Sequence, residues 1–345
     1  MKYRFFIIHL LMVVVLGLAV STTAVKADYD AALNLYKEKK YTEAISLLEQ
    51  WCEKYPKDPR GAYLLAQCYR NTKQNQKAID RLEIILQHHP DADNCRFLLG
   101  SLLLPTSPVE ATKHFQKAVQ VDPENAQYNY YLGSALMAQK KYSEAETPLR
   151  KAVSVTPGNV RAQLDLGKVL LLNNKAEEAV KHLKVAIKGE NKASALYFLG
   201  LAQIQSKDFN GAVSTLTDAV NQTPNDARLY YNLGLARESL LGDQTADLEK
   251  YQPIIDAYEK AVSLNNDVED YKFRLGNAYE TAVRNIYDKI TGNDTLKDKA
   301  LDYLAKARKA FESVNSDSAR QRIAEVDQII DSVKNPIVIE EEVPL

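Results

Sequence analysis

Apolar and polar positions follow helical spacing along this chain, and the same arrangement returns again and again. Around Tyr130, the residues Leu132, Gly133 and Leu136 form one apolar stripe, and Ala145, Leu149 and Ala152 form a second. Each stripe covers one side of a helix and leaves the other side polar. Between them Gln139-Lys140-Lys141-Tyr142-Ser143 is a short polar turn, and Pro157 with Gly158-Asn159 closes the second stripe. Proline cannot continue a helix, and glycine or asparagine readily takes the turn that follows. The unit predicts two antiparallel helices joined by a tight loop, with Ser143 as N-cap of the second helix and Glu146 completing a capping box.

This unit recurs at a period of 33 or 34 residues. A small residue stands inside the first stripe at Ala32, Ala66, Gly100, Gly133, Gly167, Gly200 and Gly234, and after a longer step at Gly276. A second series follows at Ala44, Ala78, Ala111, Ala145, Ala179 and Ala212, and a third at Pro56, Pro90, Pro123, Pro157 and Pro224, with Asn191 at the skipped proline position. Self-similarity at such a period marks stacked supersecondary units that share one continuous core. Glycine inside a helix costs about 1 kcal/mol relative to alanine. Its return at one register therefore predicts helices that approach closely there, with leucines filling the flanks.

Leucine precedes the small residue at Leu65-Ala66, Leu99-Gly100, Leu132-Gly133, Leu166-Gly167, Leu199-Gly200, Leu233-Gly234 and Leu275-Gly276. The later alanine, large apolar residue and second alanine stand at Ala111/Phe115/Ala118, Ala145/Leu149/Ala152, Ala179/Leu183/Ala186 and Ala212/Leu216/Ala219. On these residues the chain resembles the tetratricopeptide repeat family over roughly residues 26–314, as eight units. The resemblance implies an all-α fold, a right-handed superhelical solenoid of antiparallel helix pairs, spanning residues 28–316. Ser318 to Lys334 predicts one further amphipathic helix, with Ile323, Val326, Ile330 and Val333 on one face, as the terminal cap within 317–335 that a solenoid needs. Residues 336–345 read as a short acidic, flexible tail.

Departures from the family pattern carry information. The first unit has Ala31-Ala32 in place of leucine-glycine, and Trp51 in place of a small alanine. In the third unit Ser107, Pro108 and Glu110 read as N-cap, N1 and N3 of the next helix. The seventh unit carries about eight extra residues around Leu241 to Lys250, and the eighth about twelve more through Tyr287 to Thr295, which predicts a long first helix there.

The resemblance also implies a place for a ligand. First helices line the concave face in this family, and their exposed stripe reads Phe97, Ser101 and Leu104; then Tyr130, Ser134 and Met137; then Leu164, Lys168 and Leu171; then Tyr197, Leu201 and Ile204. A peptide could lay apolar side chains along such a stripe and use the hydroxyls for register. The alternative is that these aromatic residues pack between neighbouring units. The family's carboxylate clamp for chaperone tails is not matched, because Tyr29, Leu33, Asn94 and Leu98 occupy its register. An asparagine ladder is not matched either, since its positions hold Asp30, Leu64, Leu98, Tyr131, Asp165, Phe198, Asn232 and Arg274.

At the front, Lys2 and Arg4 precede an apolar run from Phe5 to Val20, and Val25 and Ala27 fit the small-residue positions of a cleavage site. That layout predicts a signal peptide over 1–27, hence an exported, periplasmic or extracellular protein. The alternative is an uncleaved anchor, although the run is 16 residues where a bilayer span wants about 20. Membrane contact is expected only if residues 5–20 are retained. The whole chain has 44 basic against 45 acidic side chains, and loss of Lys2, Arg4 and Lys26 takes the balance to −4, a poor match to nucleic acid. Export would permit a bridge between Cys52 and Cys68, with buried free thiols as the alternative. Phosphate loops, nucleophile elbows and zinc-protease motifs are missing from the sequence, so no catalytic, cofactor or metal residues are expected. The expected partner is a protein or peptide.

Overall fold

A computed structural model describes residues 28–242 and 247–335. The leader at 1–27, the tail at 336–345 and part of the seventh unit's insertion lie outside the described residues. Among those described, every regular element is helical. The order is α1 (28–37), α2 (Tyr41–Lys54), α3 (Pro59–Asn71), α4 (Asn75–His88), α5 (Asp93–Leu103), α6 (Pro108–Val121), α7 (Ala126–Ala138), α8 (Tyr142–Val155) and α9 (Val160–Leu172). Then follow α10 (Ala176–Ala186), α11 (Lys192–Gln205), α12 (Phe209–Gln222), α13 (Ala227–Leu241), α14 (Leu248–Leu264), α15 (Glu269–Arg284), a 3-10 turn (Tyr287–Lys289), α16 (Asp294–Glu312) and α17 (Asp317–Lys334). Odd-numbered helices up to α15 carry the small-residue series and are the first helices of their units.

The chain forms two compact units, the first ending at Val169 and the second starting at Leu170. In the first unit each helix from α2 to α7 packs on the next, and α3 also touches α5. In the second unit the same sequential packing runs from α10 to α17, and α11 also touches α13. First helices therefore lie side by side within each unit.

Small residues sit where the large residue of the second helix comes in. A Cβ on Gly100 would lie 2.8 Å from Phe115 Cε1, and one on Gly133 would lie 2.5 Å from Leu149 Cγ. In the second unit a Cβ on Gly200 would meet Leu216 at 2.6 Å, one on Gly234 would meet Tyr258 at 2.5 Å, and one on Gly276 would meet Phe311 at 2.7 Å. All five large partners are fully buried. Each large side chain thus lies flat on bare helix backbone, and flanking alanines and leucines close the core around it.

The first unit solves the same problem differently. Trp51, standing in an alanine position, is buried with Tyr29 and Tyr55 at ring distances of 5.4 and 4.6 Å. Its space comes from Gly61 in α3, where a Cβ would fall 2.4 Å from Trp51 Cδ1. The indole Nε1 donates to Asp58 at 3.1 Å, so the polar end of the ring is satisfied as the rest is desolvated.

Loops between paired helices share one geometry. Lys39, Lys73, Lys140, Asn174 and Lys207 all take positive φ near 60°, and the next residue's amide donates back to a carbonyl five residues earlier, as Lys141 does to Leu136 at 2.9 Å. This closure starts α8 at Tyr142, one residue before the predicted cap. Ser143 therefore lies inside the helix, Lys141 is the N-cap without a side-chain bond, and Glu146 pairs with Arg150 at 2.9 Å instead of closing a box. Ser107 and Pro108 do occupy N-cap and N1 of α6, although the Ser107 hydroxyl makes no cap bond.

The eighth unit also differs from expectation. Its first helix has 16 residues, slightly longer than the other first helices, but does not take in the insertion. α15 stops at Arg284, the 3-10 turn follows, Gly292 takes φ 79°, and Asn293 caps an extended second helix by accepting from the Leu296 amide at 3.0 Å. The insertion thus lengthens α16, because the turn and the cap break the chain before it. At the end, α17 lays Val326 and Val333 into the core with Ile323 and Ile330 beside them. Cys52, Cys68 and Cys95 are free and buried. Burial alone pushes the Cys68 thiol up to about 11, and burial with the charge of Asp93 takes Cys95 to about 12.

Neighbouring first helices are tied by tyrosine hydroxyls. Tyr36 reaches Gln67, Tyr128 donates to Asp93 at 3.0 Å, Tyr130 donates to Asp165 at 3.2 Å, and Tyr231 donates to Asp270. Burial, reinforced by the acceptor carboxylates, raises Tyr130 and Tyr231 from 10.0 to about 12. The folded state therefore holds protons that the unfolded chain gives up near pH 10, so stability is complete below that value and falls as pH rises toward 12. In an alkaline titration, part of the tyrosinate absorbance will appear together with the loss of helical circular dichroism. Full ionisation near pH 10 with helicity intact would contradict these ties.

Candidate functional site

The surface formed by first helices is the place where a ligand was expected, and the structure divides its residues into two groups. In the first unit Phe97 is not free. Its ring lies 5.7 Å from Phe115, 5.1 Å from Tyr128 and 5.0 Å edge-on from Tyr131, a cluster that joins α5, α6 and α7. Tyr130 is half-buried, held through Asp165 and set edge-on to Tyr131 at 5.4 Å. Ser101 spends its hydroxyl on the Leu98 carbonyl at 2.7 Å, and the Ser134 hydroxyl is buried without a well-formed hydrogen bond. Lys168 pairs with Asp165 at 3.4 Å.

Leu164 is only 5% exposed and so leaves the accessible stripe. The reason lies in α9 itself, where Ala162, Leu164, Leu166, Val169 and Leu170 are all buried and wrap most of the helix circumference. An i, i+4, i+7 template assumes one exposed side, which this helix lacks over that stretch. What remains accessible in the first unit is Leu104 and Met137, both half-buried, each four residues after its glycine. On second helices of the same unit Ile84, Val109, Val121 and Val155 are exposed.

In the second unit the same register after the small residue holds Leu171 and Ile204, again half-buried, with Leu201 three residues before Ile204. Here the strongly exposed apolar side chains on described helices are Leu172 at 53% and Leu240 at 41%, at the ends of α9 and α13. The twelve-residue stripe did not include either one. The signal was the run Val169-Leu170-Leu171-Leu172 and the pair Leu240-Leu241, which overrun the stripe template by one residue or more. Tyr197 is half-buried, edge-on to Phe198 at 5.1 Å, and carries the Arg228 guanidinium over its ring at 5.1 Å. Arg228 is itself fixed by Asp226 at 2.7 Å.

The charge on this surface is largely spoken for. Tyr258 of α14 donates to Glu238 of α13 at 2.6 Å, Arg274 of α15 lies 3.9 Å from the same carboxylate, and Arg237 of α13 donates to the Pro253 carbonyl of α14 at 2.7 Å. Burial lowers the pKa of Arg237 from its usual value, and the nearby charge of Asp256 only partly offsets this. Among the described residues no group of three or more histidine, cysteine, aspartate or glutamate side chains is arranged to hold a metal ion. His89 is engaged with the Lys57 carbonyl at 2.6 Å. The chemistry offered by the surface is apolar contact from leucine, isoleucine and methionine ends, framed by groups already paired.

Known proteins share these features to different extents. Tetratricopeptide repeat family models match residues 35–99 and 136–197, and a second such model matches residues 110–159. A mouse aspartyl/asparaginyl beta-hydroxylase is 30% identical over 89 residues, which is 26% of this chain. The matched stretch is 11% of that protein's length. Among solved structures, YrrB, described as a TPR protein with an unusual peptide-binding site, is 20% identical, with 54% of this chain and 93% of that one aligned at a TM-score of 0.48. MamA is 25% identical over 52% of this chain and 95% of its own, at a TM-score of 0.41. With glycine set against the large residue of its partner helix at Gly100, Gly133, Gly200, Gly234 and Gly276, and family models matched over residues 35–99 and 110–197, the chain carries tetratricopeptide repeats and is a helical repeat protein.

Proposed function

We propose that this protein is a non-catalytic scaffold that holds a protein or peptide on the surface of its first helices. Stacked helix pairs of this family expose long inner surfaces of that kind. The observation that carries the reading is the repeated apolar residue four places after the small one: Leu104 and Met137 in the first unit, Leu171 and Ile204 in the second. Single exposed apolar residues are ordinary. Recurrence at one register is different, because within each unit it sets side chains at the spacing of successive first helices. Phe97, Tyr130 and Leu164 contribute by holding those helices in place.

The compartment we propose is outside the cytoplasm, reached through the segment 1–27, with an envelope assembly or secretion role. Support comes from the basic start, the apolar run and the small residues at Val25 and Ala27. The alternative, a tethered assembly factor or co-chaperone, is favoured by the same apolar run if it is retained. Among the described residues no helix is long and apolar enough to cross a membrane.

A photo-crosslinking amino acid placed at Ile204 or Leu240 will capture a partner in cells, and the same group at Ile84 on a second helix will not. Equal capture at all three positions would remove the first-helix surface as the binding site. Separately, the mass of the protein recovered from the cell envelope will correspond to an N-terminus at Asp28; a retained leader would instead establish the tether.

A further inference from the structure

A cavity of about 650 Å³ opens in the second unit between the end of α15, the 3-10 turn and α17, lined by Arg284, Tyr287, Asp288, Glu325, Gln328, Ile329 and Ser332. It exists because of the eighth unit's extra residues, which replace a tight interhelix turn with the 3-10 segment, and because α17 closes the other wall. Two of its lining residues, Arg284 and Glu325, belong to a network of charges. Glu280, fully buried, pairs with Arg284 at 2.7 Å and with Arg322 of α17 at 3.0 Å. Glu325 pairs with the same two guanidinium groups at 3.3 and 2.8 Å. A buried carboxylate without such partners would be costly, so both arginines are committed to holding these two acids.

That commitment decides which ligand charge the cavity suits. With each arginine answered by a carboxylate, no cation is left to take an anionic group. Asp288 is different. Among the described residues no cation pairs with it, and its neighbour Lys289 is held by Asp247 at 2.6 Å. Beside it Tyr287 is 39% exposed and packs against no other ring among the described residues. Ile329 supplies an apolar wall, and Ser332 turns its hydroxyl onto the Gln328 carbonyl at 2.9 Å. An unpaired carboxylate, an open aromatic ring and an apolar wall together match a long side chain that ends in positive charge.

We propose that this cavity binds an arginine or lysine side chain carried by a partner protein, with the stem against Ile329 and Tyr287 and the charge at Asp288. The volume exceeds what one amine fills and leaves room for flanking peptide. The site is separate from the first-helix surface, so either can fail without the other.

Fluorescence anisotropy of the full chain with labelled hexapeptides that differ only in a central arginine, lysine or glutamate tests this. The arginine and lysine peptides will bind and the glutamate peptide will not. Asp288→Asn and Tyr287→Ala, both at exposed positions, will each weaken binding by about three- to fivefold with unchanged thermal melts. Equal binding of the glutamate peptide, no effect of Asp288→Asn, or no binding of any peptide at about millimolar protein would overturn the proposal. Cadaverine binding as tightly as the peptides would overturn the assignment to a protein partner.

Discussion

In five of the helix pairs a large side chain from the second helix rests directly on a glycine of the first, where an added Cβ would lie within 2.8 Å of it. From Gly100 against Phe115 to Gly276 against Phe311, this contact sets how near two helices come and at which turn they cross. The penalty for glycine in a helix, about 1 kcal/mol each, is offset by complete burial of a leucine or aromatic side chain worth about 1.5–3 kcal/mol. Once the pair is locked, the remaining apolar stripes of both helices face the next pair, so the packing propagates within each unit.

Cohesion between neighbouring first helices then takes up much of the surface proposed for binding. Phe97, Tyr128 and Tyr131 form one cohesive cluster, and Tyr130 ties α7 to Asp165 of α9. Those groups cannot also face a ligand freely. The positions one turn beyond Gly100, Gly133, Gly167 and Gly200 escape this use, since they lie at or near the ends of their helices. Leu104, Met137, Leu171 and Ile204 are therefore the accessible remainder of a surface whose aromatic part is consumed by the fold.

Much of the architecture was legible in the residues because its cause is periodic. Gly133 and Leu149 recur in register, so their contact could be inferred from spacing. Features that depend on one local geometry were not legible. Gly61 stands outside the small-residue series, and only the position of Trp51 shows why it is glycine. Ser143 has the chemistry of a cap, but the left-handed Lys140 brings the chain into helix one residue sooner. The twelve extra residues near Tyr287 read as a longer helix, whereas Gly292 and Asn293 interrupt them and create one wall of a cavity. On the surface where a ligand was expected, Met137 and Ile204 are half-buried and accessible, whereas Phe97 packs into an aromatic cluster and Leu164 is buried, because apolar residues in α5 and α9 are wanted by the core.

If bare backbone beneath a large residue is what locks the hairpins, the effect of a methyl group at Gly200 must depend on Leu216. Denaturant unfolding of Gly200→Ala, Leu216→Ala and the double variant measures this dependence directly. With Leu216 present, the new Cβ collides at 2.6 Å, and Gly200→Ala will destabilise by about 1–3 kcal/mol despite alanine's better helix propensity. With Leu216 truncated the collision is gone, and the same substitution will stabilise. A change of the same sign and size in both backgrounds would contradict the account.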